Sequence, residues 1–149
     1  MARDEQTTGM GLWTDANEML VAARHLTSVK SLEFSQPLYF LLGHSLELSF
    51  KSYVRAKGAS LSCLKNIGHD LSLGLEWAQT TGIGELVQIS EKDTTLIQIM
   101  NSYYKVKEFE YRVTGVKKLP HAEDLLDLLS RILSATKTFC AKSVRTKHA

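Results

Sequence analysis

One stretch of this chain constrains its fold more than any other: Pro37-Leu-Tyr-Phe-Leu-Leu-Gly-His-Ser-Leu-Glu-Leu-Ser-Phe-Lys-Ser-Tyr-Val-Arg-Ala-Lys-Gly58. It reads as a helix that is apolar around most of its circumference, which marks a central, buried element. Yet it carries a polar line, His44, Glu47, Lys51 and Arg55, spaced by three, four and four residues. At about 100° per residue these side chains fall within roughly an 80° arc. Ionisable groups on a buried helix need water, a partner or a ligand. Glu47 and Lys51 stand in the favourable order for an ion pair one turn apart. The polar line is therefore either a salt-bridged edge or a strip facing a cleft or a partner helix. In a cleft, His44 suits acid or base chemistry, and Lys51 or Arg55 suits phosphate binding.

Punctuation along the rest of the chain predicts an all-α fold. Residues 1–13 read as a polar, frayed N-terminus, with Thr14 or Asp15 capping a first helix that ends near Lys30. Ser35 caps the central helix, Pro37 occupies its first turn, and Gly58 follows its end. A loop is expected over residues 59–68. Asp70 or His69 then opens a helix through Leu71 and Leu75. Glu85 to Ile89 reads as one helical turn. Ser90 to Asp93 has capping-box character and leads a helix through Leu96, Ile97, Met100 and Tyr104. Alternation of Phe109, Tyr111 and Val113 with Glu110 and Arg112 suggests an extended segment over 108–115. Pro120 opens a last, Leu-rich helix, and residues 141–149 read as a basic tail. The organisation expected is one helical domain over residues 14–140, an up-and-down bundle of four to five helices.

Bulk composition sets limits on function. The 149 residues are enough for one substantial core, and the net charge of +2 does not by itself favour nucleic acid. Basic residues gather locally at Lys105, Lys107, Arg112, Lys117 and Lys118, and again near the C-terminus. Two distant cysteines suggest a reducing, cytoplasmic setting. Met1 to Thr8 lacks the apolar core of a signal peptide, and no apolar run approaches the roughly 18 residues of a membrane span. No nucleotide-binding loop, nucleophile elbow or zinc-protease motif occurs, and the five histidines form no metal signature. No metal and no cofactor is expected.

Two further segments carry chemistry. Gly68-His-Asp-Leu71 places His69 beside a helix N-terminus, where anions bind well, although a plain capping role for Asp70 explains it too. Asn101-Ser-Tyr-Tyr-Lys-Val-Lys-Glu-Phe-Glu-Tyr-Arg112 interleaves aromatics with bases. Such residues stack on nucleobases while cations meet phosphate, or pack in the core with a wet hydroxyl. The binding candidates are Lys51, Arg55, Tyr104, Lys105, Lys107 and Arg112. The catalytic candidates are His44, His69, Arg112 and His121.

Leu42-Gly-His-Ser-Leu-Glu-Leu-Ser-Phe-Lys-Ser-Tyr-Val-Arg-Ala-Lys-Gly58, Gly68-His-Asp-Leu71 and Tyr111-Arg-Val-Thr-Gly115, in this order, resemble the HEPN superfamily (higher eukaryotes and prokaryotes nucleotide-binding domains) across residues 14–140. Glu47 and Lys51 fit that family's recurrent Glu-Leu-x-x-Lys pattern. The resemblance implies a helical bundle, often a homodimer. It implies one of two roles: a metal-independent ribonuclease of toxin–antitoxin, phage-defence or RNA-processing systems, or a non-catalytic binder of nucleotides or of partners such as nucleotidyltransferases. The ribonuclease branch carries Arg, four to six residues, then His. Here eight residues, including Pro120, separate Arg112 from His121, and Arg24 directly precedes His25. The expectation is an RNA- or nucleotide-binding protein without the standard catalytic pair. The alternatives are a ribonuclease using His44, His69 or His121, and a protein-interaction module.

Overall fold

The apolar stretch folds as the expected central helix, and the other long helices assemble on it. The computed structural model describes residues 6–110, 115 and 117–146, with side chains described as far as residue 143. Among these residues there are six α-helices, two 3₁₀ turns and no strand. The helices are α1 (Gly9–Thr27), α2 (Gln36–Ala56), α3 (Leu61–Ile67), α4 (Leu71–Thr80), α5 (Glu91–Tyr104) and α6 (Ala122–Thr146). The 3₁₀ turns are Lys30–Leu32 and Ile83–Glu85. α2 touches α1, α4, α5 and α6, while α1 packs on α6 and α4 packs on α5.

The path of α1 along α2 is set by small residues. A Cβ at Gly9 would stand 2.7 Å from the Ser52 carbonyl oxygen, so glycine lets the two backbones meet there. Farther along, the buried Ser45 hydroxyl donates to the Ala16 carbonyl at 2.8 Å. α1 and α2 are therefore antiparallel. α6 runs alongside both. The Trp13 indole donates to the Leu133 carbonyl at 2.9 Å, and Tyr39 donates to the Pro120 carbonyl at 2.6 Å. Tyr39, Phe50, Leu42, Leu46, Leu125, Leu128 and Leu129 are fully buried in the shared core.

Several caps fall where the sequence places them. Ser35 accepts from the Leu38 N–H, and Asp70 accepts from the Leu73 N–H. Ser90 and Asp93 form a reciprocal capping box. Gly58 follows α2 with φ of +107°, a left-handed conformation that costs glycine little.

Other boundaries differ from expectation. α1 is capped by Thr8, not by Thr14 or Asp15, because Gly9 packs on α2. It ends at Thr27, before Lys30. The expected loop over 59–68 contains α3, capped by Ser60 and anchored by Leu64 and Ile67. The turn expected at Glu85 to Ile89 is the earlier 3₁₀ turn at Ile83–Glu85. The basic segment expected as a tail from residue 141 is helical to Thr146. Glu108 to Glu110 form turns rather than extended chain, with the Glu110 N–H donating to the Lys107 carbonyl at 3.1 Å. The remainder of the expected extended segment, including Tyr111, Arg112 and Val113, lies outside the described residues.

Candidate functional site

The charged line on α2 divides into two jobs. Arg55 turns to backbone: its Nε donates to the Thr7 carbonyl at 2.8 Å and its Nη1 to the Ala59 carbonyl at 2.7 Å. It ties the chain before α1 and the turn after α2 to the end of the central helix. Arg55 is buried, and these two bonds give it a structural part in the fold. The other three, His44, Glu47 and Lys51, belong to one polar cluster.

Glu47 is the hub of that cluster. It is only 6% exposed, yet every side of its carboxylate is met by a donor. Oε1 accepts from the Tyr104 hydroxyl at 2.8 Å and from His69 Nδ1 at 2.8 Å. Oε2 accepts from Lys51 Nζ at 2.9 Å, the intrahelical pair that the spacing predicts. His44 Nδ1 lies 4.0 Å from Glu47 Oε1 but 2.9 Å from the Tyr104 oxygen, so its link to the hub runs through the phenol. Burial alone would raise the Glu47 carboxyl pKa, but the hydrogen bonds from His69, Lys51 and Tyr104 outweigh it and hold the group below its usual range. Burial, followed by the Glu47 charge, pushes the Tyr104 phenol far above its ordinary value. Tyr104 therefore acts as a fixed donor and not as a titrating group.

These contacts fix proton positions. The single phenolic hydrogen of Tyr104 goes to the Glu47 carboxylate, so His44 donates its own Nδ1–H to the phenol oxygen. His69 likewise donates Nδ1–H to the carboxylate. Each imidazole thus meets the hub through Nδ1, which leaves Nε2 on the far edge of the ring. Burial holds His44 below the ordinary imidazole pKa; Glu47 opposes this, while His69 and Lys51 add to it. Phe40 stacks on the His44 ring at 5.7 Å, and Tyr104 meets His69 edge-on at 6.2 Å. His69 is 47% exposed and His44 26%, so both rings reach the surface.

The Gly-His-Asp-Leu element is held against α5 by a second set of bonds. Asn101 accepts from the Leu71 N–H at 2.8 Å and donates to Asp70 at 2.9 Å and to Ser72 at 3.2 Å. Lys105 pairs with Asp70 at 3.1 Å. Asp70 caps α4 as expected, and the same element carries His69 to Glu47.

Sequence reasoning missed two contributors. In the sequence Asn101 stands only within an aromatic-basic stretch. Gly43 lies inside the apolar helix, and a Cβ there would run into the Tyr104 ring. A glycine inside an otherwise strong helix was the available signal, because such a residue often marks close approach. His121 does not join the cluster. It precedes α6, where its carbonyl accepts from Asp124 at 3.1 Å. It lines a separate depression with Thr27, Glu33 and Phe34. Lys107 is exposed, with φ of +63° in the turn after α5. Arg112 lies outside the described residues, so its relation to His44 and His69 is not part of this geometry.

Among the described residues no group of three or more His, Cys, Asp or Glu side chains is arranged to hold a metal, and no helix is long and apolar enough to cross a membrane. No protein-family model matches this chain, and comparisons with curated proteins and with solved structures gave no match.

Proposed function

We propose that this protein is a HEPN-like binder of RNA or nucleotide, without the family's standard Arg–His pair, acting in the cytoplasm. The observation that carries the reading is the meeting of two partly exposed imidazoles, His44 and His69, on one Glu47–Tyr104 hub that engages Nδ1 of each. Lys51 and Lys105 flank that face, and the turn beyond α5 adds the exposed Lys107 and, farther on, Lys118. Imidazoles and lysines contact phosphate oxygens, and the lysines after α5 extend the contact along a backbone. Titration of single-stranded RNA and of mononucleotides at low and high ionic strength tests it. Binding that weakens with salt, and weakens further in Lys105→Ala and Lys107→Ala variants, is expected. Absence of binding even at low salt would overturn the reading.

A second reading is favoured by the fixed tautomers. An imidazole that gives Nδ1–H to a carboxylate and keeps a lone pair at Nε2 has the geometry of a general base. With His44 held neutral, the pair also suits metal-independent RNA cleavage. Under this reading, incubation with RNA gives fragments that vanish in His44→Gln or His69→Gln. Cleavage that survives both substitutions would exclude these residues. A homodimer and a nucleotidyltransferase partner remain part of the HEPN expectation, and sedimentation and co-purification address them.

A further inference from the structure

The outward face of the cluster contains a conflict between charge and ligand. Each lysine near it already has a carboxylate: Lys51 pairs with Glu47 and Lys105 with Asp70. Glu110, from the turn after α5, adds a further negative influence on His44 and Tyr104. Among the described residues, the charged and titratable groups at the two imidazoles are thus Glu47 and Lys51 from α2, Asp70 before α4, Tyr104 and Lys105 from α5, and Glu110. With both imidazoles neutral, carboxylates outnumber cations among these groups. The tautomers sharpen the conflict. Nδ1–H is committed inward at both rings, so a neutral ring offers only a lone pair at Nε2. A phosphate oxygen is also a lone-pair acceptor, and it cannot bond that edge unless Nε2 carries a proton.

We infer that a phosphate group docks on the Nε2 edges of His44 and His69 only together with a proton, so that anion binding and imidazole protonation here are one event. This rests on the phosphate-binding reading above and specifies how that site takes its ligand. The proton comes from solvent to Nε2. The ring becomes an imidazolium that donates Nδ1–H to the hub and Nε2–H to the phosphate oxygen. The hub supports this state, since Glu47 and Tyr104 already accept the inner hydrogens. The lowered pKa of His44 means that without ligand its proton is lost more readily than usual. Site occupancy is therefore gated by pH, with binding favoured on the acid side.

Calorimetric titration of the full chain with a short uridine oligonucleotide tests this, because phosphodiesters keep their charge across the range in which imidazoles titrate. Affinity is expected to rise by up to roughly tenfold per pH unit for each proton taken up, between about pH 7.5 and 5.5. Binding heats in two buffers of different ionisation enthalpy should report net proton uptake. His44→Gln and His69→Gln, checked for fold by circular dichroism, should each reduce the uptake, whereas His121→Gln should leave it intact. Proton uptake in the wild-type chain decides the matter even if a variant fails to fold. Parallel titrations with inorganic phosphate and a mononucleotide, with the ligand's own ionisation subtracted, separate the ligand sources: equal remaining proton uptake with a small phosphate supports the inference and identifies the small ligand. Binding with a flat pH profile and no proton uptake overturns the inference while leaving the function proposed above. No binding at any pH overturns both.

Discussion

Glu47 shows how a buried carboxylate can be tolerated on an apolar helix. Its desolvation is offset by three donors drawn from three segments, and removal of any one leaves a buried polar atom short of a partner. Gly43 makes this possible by letting the Tyr104 ring lie against the α2 backbone. A Gly43→Ala substitution would normally favour a helix, by about 1 kcal/mol. Here the methyl meets an aromatic ring that both the core and the hub hold in place. We expect a net loss of roughly 1–3 kcal/mol, from overpacking. Urea denaturation measures it, and an unchanged or raised midpoint would contradict the contact. Glu47→Gln removes the charge that Lys51 and the imidazoles face, and is expected to destabilise the fold by on the order of 2 kcal/mol in the same assay.

At the scale of elements, the start of α5 is joined to α6 by one buried acid. Asp93 closes the capping box with Ser90 and receives the Arg131 guanidinium at 2.8 and 3.2 Å. Arg131 also donates to Asp127 at 3.0 Å, one turn earlier on α6. Arg131→Met keeps the aliphatic bulk but strips the Asp93 carboxylate of its cation. We expect a loss of about 1–2 kcal/mol, read as a lower thermal midpoint. A midpoint equal to wild type would mean that the capping box alone satisfies Asp93. Elements with local signals were legible in the sequence: the Ser35, Asp70 and Ser90 caps and the glycine after α2 follow from short-range chemistry. α3 was hidden because seven residues give little periodicity, although Ser60 and the spacing of Leu61, Leu64 and Ile67 mark it. The start of α1 was hidden because Gly9 reads locally as a breaker and is helical only through its contact with α2. The hub was half-legible. The Glu47–Lys51 pair lies within one turn, but Tyr104 lies 57 residues from Glu47, and only tertiary packing brings them together.

The whole molecule inherits a pH dependence from these sites, and its sign follows from linkage. His44 has a lowered folded pKa, so the unfolded chain binds its proton first as pH falls below the ordinary value of 6.5. The His44 contribution is present above that value and is lost on acidification. Glu47 and Asp93 are also lowered, from ordinary values of 4.5 and 3.8, and their contributions are lost at still lower pH, as each is protonated. Stability measured by denaturation should therefore fall in two stages on acidification, first below about pH 6.5 and again below about pH 4.5. Tyr104→Phe removes a hydrogen-bond donor that holds the Glu47 carboxyl low, and should weaken the second stage more than the first. A profile flat from neutrality to about pH 5 would contradict the burial of His44.

The central claim is that His44 and His69 form one phosphate-facing site. Imidazole resonances followed by NMR during addition of a short single-stranded RNA test it most directly. The expected result is that His44 and His69 shift together and saturably, with the change at each ring greatest at Nε2, while His25 and His121 stay in place. Shifts confined to other histidines, or none at any RNA concentration, would contradict the account.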